Sequence, residues 1–235
     1  MNYTKLINMG LTTLGPSLLA SVLARLAEGE SVRNDKEVEG YARIAAHVYG
    51  DLPDSILPYG CEVINEYSTE SGLYAKSYIL DEGVLVCAFA GTRNLVDWGN
   101  NITQLVGMSV QYEEALEYVC AVINACPEGI PVVFVGHSQG GGEAAYCAFS
   151  LGATAVTFNP AGLSQSTIEQ CELAEIADVQ TYVFSSDVLN LIQESLLDIY
   201  ANGSIHYISD YVPEAMSFAE LHGMKGILKY FGVYI

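Results

Sequence analysis

Basic residues are scarce in this sequence. Nine Lys and Arg stand against 28 Asp and Glu, a formal net charge of -19. So few cations leave little to neutralise phosphates, which argues against nucleic acid as a partner. A polybasic grip on anionic lipid fails for the same reason. Any contact with a membrane must be apolar and must work against repulsion from acidic head groups. Charge of either sign is thin, at 16% of residues against 51% hydrophobic. That composition excludes an acidic disordered chain and fits one globular domain with a full core. Close C-x-x-C pairs are also missing. The six cysteines, Cys61, Cys87, Cys120, Cys126, Cys147 and Cys171, include no pair flanked by metal ligands, so a zinc site has no support. Cys87, Cys120 and Cys147 lie in apolar patterns and read as buried free thiols. Their even number leaves disulfides open for an exported chain. Internal repeats and low-complexity tracts are absent.

Uninterrupted apolar runs of membrane-spanning length are absent too. The nearest, Leu6 to Leu26, is broken by Gly15-Pro16 and ended by Arg25, so no integral membrane span is expected. Pro16 suits a first helical position, and Leu18, Leu19, Val22, Leu23 and Leu26 would form an apolar helical face. Lys5 with the apolar run and small residues gives a weak signal-like alternative. Glu28 to Val38 is polar and charged and reads as a linker. The expected organisation is an N-terminal extension over 1–36 and a main domain over 37–235. The compartment stays open between cytoplasm and export without a clear signal peptide, and the oligomeric state is not legible.

Hydrophobic periodicity then alternates. Tyr41, Ile44, Ala45 and Val48 have helical spacing over Glu37–Tyr49. Short strands follow near Cys61–Tyr67 and Leu73–Leu80, and Val84–Ala90 is a continuous apolar run, as in a strand buried on both faces. Residues 91–111 form an irregular connection. Tyr112–Cys126 is helical, Pro131–Val135 a strand, Gln139–Leu151 a helix of small residues, and Ala153–Phe158 a strand. Ser164–Leu173 is expected to be helical and Val179–Phe184 extended. Later come a helix within Val188–Tyr200, a strand near Ser204–Ser209 and a helix from Pro213 or beyond to Tyr230. This alternation implies a mostly parallel α/β sheet flanked by helices.

One motif carries chemistry. Gly136-His137-Ser138-Gln139-Gly140 has the form G-x-S-x-G, between the strand ending at Val135 and the helix containing Glu143, Ala144 and Ala148. A sharp strand-to-helix turn strains the serine, and glycines on both sides keep side chains from clashing there. The helix N-terminus aims backbone N–H groups at negative charge beside Ser138. A serine hydroxyl needs a base. Of the four histidines, His137 adjoins Ser138 and would point into packing, and His47 precedes the sheet. His222 and His206 remain, with His222 favoured because His206 lies in an apparent strand. Asp187, just past the strand Val179–Phe184, is the favoured acid; Asp198 and Asp210 are alternatives, and a helix-capping role for Asp187 is the structural one. Oxyanion donors are expected at Gln139 N–H and at Thr92, after Ala88-Phe89-Ala90-Gly91.

Together these residues resemble the class 3 lipase family. The resemblance rests on Phe89-Ala90-Gly91-Thr92, then Asp97-Trp98 and Asn100-Asn101, the elbow Gly136-His137-Ser138-Gln139-Gly140-Gly141, and Thr157-Phe158-Asn159-Pro160. It spans roughly residues 40–230. It implies an α/β-hydrolase fold, a Ser138, Asp187 and His222 triad, and oxyanion donors at Thr92 and Gln139; family members often carry a lid, for which Asn94–Gln111 is the candidate, with an ordinary packed loop and helix as the equal alternative. Ala90 stands where the family has arginine and Gln139 where it has leucine, and both positions border the site. The expected activity is cleavage of carboxylic esters, lipid esters (lipase or phospholipase) foremost, with no metal or cofactor. Acyl transfer would share the same acyl-enzyme. A catalytically silent binding module on this fold is the other alternative, and the intact serine, aspartate and histidine argue against it.

Overall fold

The fold is taken from a computed structural model that describes residues 35–92, 109–197, 199–208 and 218–235. The described elements run α1 (Asp35–His47), β1 (Glu62–Ser68), β2 (Tyr74–Ile79), β3 (Leu85–Phe89), α2 (Ser109–Ala125), β4 (Val132–His137), α3 (Gln139–Leu151), β5 (Thr154–Phe158), α4 (Gln165–Glu169), β6 (Asp178–Phe184), α5 (Val188–Ile192), β7 (Ser204–Ile208), α6 (Phe218–His222) and α7 (Met224–Tyr230). The expected N-terminal helix from Pro16 lies outside the described residues. So do Asp97-Trp98, Asn100-Asn101, most of the expected lid, and the alternative acids Asp198 and Asp210.

Seven strands form one sheet in the order β1-β2-β3-β4-β5-β6-β7. The first three pair antiparallel, and β3 through β7 are parallel. Alternation along β3 shows why Val84–Ala90 had to be apolar throughout. Leu85, Cys87 and Phe89 enter the core beneath α2 and α3 with Phe134, Leu116 and Ile123. Val86, Ala88 and Ala90 enter the opposite core with Ile44, Val48, Phe158 and Ile227 beneath α1 and α7. Right-handed crossovers place the helices that join successive parallel strands on a single face. The other face is covered by α1 and α7, which pack on one another. β1, at the edge, is exposed along its whole length.

Three expectations on helices shift. α4 covers only Gln165–Glu169, capped by Ser164, and has no buried residue, so nothing holds a longer helix against the sheet. After α5 the chain enters a π-helical turn over Gln193–Leu197. The last expected helix is two, because Gly223 is extended (φ -74°, ψ 159°) between α6 and α7. All six cysteines are free thiols, and burial raises the thiol pKa of Cys87 to about 12. Among the described residues no helix is long and apolar enough to cross a membrane. No group of three or more His, Cys, Asp or Glu there could hold a metal ion.

Candidate active site

Parallel register brings the strand ends together. Phe89 lies opposite Gly136, His137 opposite Phe158, and Phe158 opposite Tyr182. The segments that leave these strands therefore converge: Gly91-Thr92 after β3, Ser138 after β4, Asn159 after β5 and Asp187 after β6. This is the carboxyl edge where open parallel sheets place their sites.

Ser138 adopts φ 56° and ψ -127°, a strained conformation for a residue with a Cβ. Four backbone hydrogen bonds impose it. Its N–H donates to Phe158 O, and its carbonyl accepts from Gly141 N, Gly142 N and, at 2.8 Å, from Ala161 N. The turn also requires missing side chains. A Cβ at Gly140 would lie 2.2 Å from the Phe89 carbonyl oxygen, and one at Gly91 would lie 2.8 Å from the His137 carbonyl oxygen.

Ser138 Oγ lies 3.0 Å from His222 Nε2, and His222 Nδ1 lies 2.6 Å from Asp187 Oδ1. A carboxylate only accepts, so Nδ1 carries the proton and Nε2 accepts from the serine hydroxyl. All three residues are buried, with Asp187 at 0% exposure. Asp187 makes the contacts of both readings at once. Its Oδ1 faces His222, while Oδ2 caps α5, accepting from Asn190 N at 3.0 Å and Asn190 Nδ2 at 2.7 Å. His206 lies elsewhere: exposed on β7, its Nε2 is 2.7 Å from Gln180 Oε1, with its ring stacked on Tyr182. His47 is buried, with Tyr78 and Asp54 as partners.

Thr92 donates its hydroxyl to Gln139 Oε1 at 2.8 Å, and the same amide donates through Nε2 to Gln111 and Glu143. Gln139 in place of leucine thus ties Thr92 to both α2 and α3. Glu143 is buried, and desolvation pushes its carboxyl well above the ordinary range, Gln139 opposing and Glu114 adding.

Two residues essential to this geometry were not singled out for it from the sequence. Asn159, at φ 39°, donates Nδ2 to Leu221 O at 2.8 Å and to His222 O at 2.9 Å. Its Oδ1 accepts from Phe184 N. It therefore joins the end of β6, before Asp187, to the turn at His222. Asn190 was the other, and the only local signal was its place three residues after Asp187.

The sheet order, the strained serine between β4 and α3, and the order Ser, Asp, His along the chain define an α/β-hydrolase of the class 3 lipase type. More narrowly, the model of the Tle-like phospholipase domain matches residues 23–227, and the chain belongs to that phospholipase-like family. It is also 32% identical over 182 residues to an extracellular phospholipase A1 of Serratia liquefaciens, across 74% of this chain. That match spans about half of the relative, 54% of its length. Among solved structures, a Rhizomucor miehei lipase propeptide complex shares the fold at TM-score 0.63 and 16% identity, covering 87% of this chain and 83% of that one. A Penicillium expansum triacylglycerol lipase does so at TM-score 0.56 and 13% identity, over 74% and 79%.

Proposed function

We propose that the chain is a serine hydrolase cleaving the carboxylic esters of phospholipids, with Ser138, His222 and Asp187 as the triad. The Ser138–His222–Asp187 hydrogen-bond chain on the strained elbow carries this reading. Ser138 Oγ attacks the ester carbonyl while His222 Nε2 takes its proton, and the imidazolium is steadied by the Asp187 carboxylate. The Thr92 and Gln139 N–H groups stabilise the oxyanion. His222 returns the proton to the leaving alcohol, which leaves an acyl-enzyme. Water then attacks this ester, His222 again takes and returns the proton, and the fatty acid departs.

A phospholipid substrate is supported by the family and by the relative named for phospholipase A1. That relative's name also favours export and cleavage at the sn-1 position. The domain carrying this activity is 37–235, with 1–36 as an extension before it. With a net charge of -19, the protein should act at zwitterionic lipid surfaces in preference to anionic ones.

Hydrolysis of p-nitrophenyl esters and of phosphatidylcholine vesicles, by wild type and Ser138→Ala, tests the proposal. The variant should lose about 10⁶-fold in kcat. Mixing phosphatidylglycerol into the vesicles should slow the wild type, and salt should restore part of the rate. Equal activity of wild type and variant would remove Ser138 from the mechanism. Hydrolysis of small esters alone would remove the lipid.

A further inference from the structure

The mechanism leaves a buried imidazole beside the nucleophile unused. His137 is 1% exposed, and its ring lies 5.0 Å from that of His222, centroid to centroid. Its Nε2 is 2.7 Å from the backbone carbonyl oxygen of His222. Its Nδ1 is 2.7 Å from the hydroxyl of Tyr49, just beyond α1. Tyr49 Oη in turn accepts the N–H of Gly91 at 2.9 Å.

Proton positions in this chain follow from elimination. A carbonyl only accepts, so His137 Nε2 must carry a proton. Gly91 N–H occupies an acceptor position of Tyr49 Oη, and the phenol has one proton to give. Desolvation, with His222 adding to it, holds His137 at about 3, so the ring is neutral and Nδ1 is bare. Burial likewise raises the Tyr49 phenol, which keeps its proton. The only consistent arrangement is Gly91 N–H to Tyr49, Tyr49 O–H to His137 Nδ1, and His137 Nε2–H to His222 O.

We propose that Tyr49 and His137 are positioning residues that lock the oxyanion strand end after β3 to the base-bearing turn between α6 and α7. This rests on the reading of Ser138, His222 and Thr92 given above. One end of the chain fixes the N–H of Gly91, the residue before Thr92. The other fixes the backbone of the base, where His222 O also receives Asn159 Nδ2. The oxyanion donors and the base must hold their places on opposite sides of the same reacting carbonyl. Without the lock each could drift while substrate still bound. The loss would then fall on the chemical step.

The test combines Tyr49→Phe, which keeps the ring and deletes both hydrogen bonds, with nitrogen NMR of the histidine rings. The His137 signals are assigned by their loss in His137→Gln. Tyr49→Phe should lower kcat about tenfold or more, with KM within about twofold of wild type. Wild-type His137 should show a protonated Nε2 and a bare Nδ1 from about pH 5 to 9, and the Nδ1 resonance should move in Tyr49→Phe. A variant with wild-type kcat, an effect confined to KM, or a protonated Nδ1 would overturn the proposal. Labelling of Ser138 by a fluorophosphonate separates the two readings. A wild type that is neither labelled nor active brings down the hydrolase assignment, and the NMR result still decides the hydrogen-bond chain.

Discussion

The two sides of the site are held by different forces. On the nucleophile side, Ser138 sits in a turn where backbone meets backbone: a Cβ at Gly140 would lie 2.2 Å from Phe89 O, and one at Gly136 would lie 2.0 Å from Gly140 O. Around His222 and Asp187, side-chain amides do the holding. Asn159 reaches 63 residues along the chain to His222, and Asn190 holds the second oxygen of Asp187. Repulsion at contact is steep, whereas a hydrogen bond contributes only about 0.5–1.5 kcal/mol net. The nucleophile turn should therefore tolerate nothing larger than hydrogen, while the base side should degrade in steps.

The largest effect tests the first half of that contrast. Gly140→Val should abolish folding, since its neighbour is backbone that cannot step aside; soluble, cooperatively melting protein would refute it. Asn159→Ala comes next. It removes the bonds that Asn159 makes to the buried Phe184 N–H and Leu221 carbonyl, each costing about 1–3 kcal/mol where nothing replaces it, while the His222 carbonyl keeps His137 Nε2. Thermal melting should drop, and kcat should fall about 10²-fold as the base loses its anchor. An unchanged kcat would show that the base turn holds itself. Asn190→Ala should lower kcat about tenfold with little change in KM, because His222 still holds Oδ1 of Asp187. A loss equal to that of Asn159→Ala would erase the graded behaviour of this side.

The smallest effect lies in pH dependence. Glu143 keeps a proton in the folded state above its ordinary value of 4.5, where the unfolded chain has released it. Stability from this group is therefore present at acid pH and declines as pH rises. Glu143→Gln has no proton to lose. Urea unfolding should find it matching wild type near pH 4 and more stable near pH 8. Parallel pH dependence in the two proteins would show that the buried carboxyl is already ionised.

The same division decides what the sequence could reveal. The elbow is legible because its requirements are local: a strand, glycines at fixed offsets and a helix lie within one short stretch. Val84–Ala90 is legible for a related reason, since burial on both faces removes every polar position. Asp187 and His222 stand out through chain order and residue type. Asn159 was visible as part of Thr157-Phe158-Asn159-Pro160, but its partners at Phe184, Leu221 and His222 come together only in three dimensions. Tyr49 has no local signal at all; its partners lie 42 and 88 residues away. The break at Gly223 has a local mark, the glycine itself, but glycine is tolerated inside helices, and the apolar spacing up to Tyr230 reads through it as one helix.

The strand order has a further meaning for how the molecule comes into being. Each strand of the described sheet pairs with its neighbour in the chain, so the sheet can grow in the order in which a ribosome delivers it. The nucleophile turn after β4 can form early, while His222, beyond β7, emerges late. A chain stalled before residue 218 would hold its serine without a base. Such chains should resist fluorophosphonate until synthesis resumes, and labelling of the stalled form would show that the serine is awake before its partner arrives. If not, the hydrolase proposed above would stay inactive during its own synthesis.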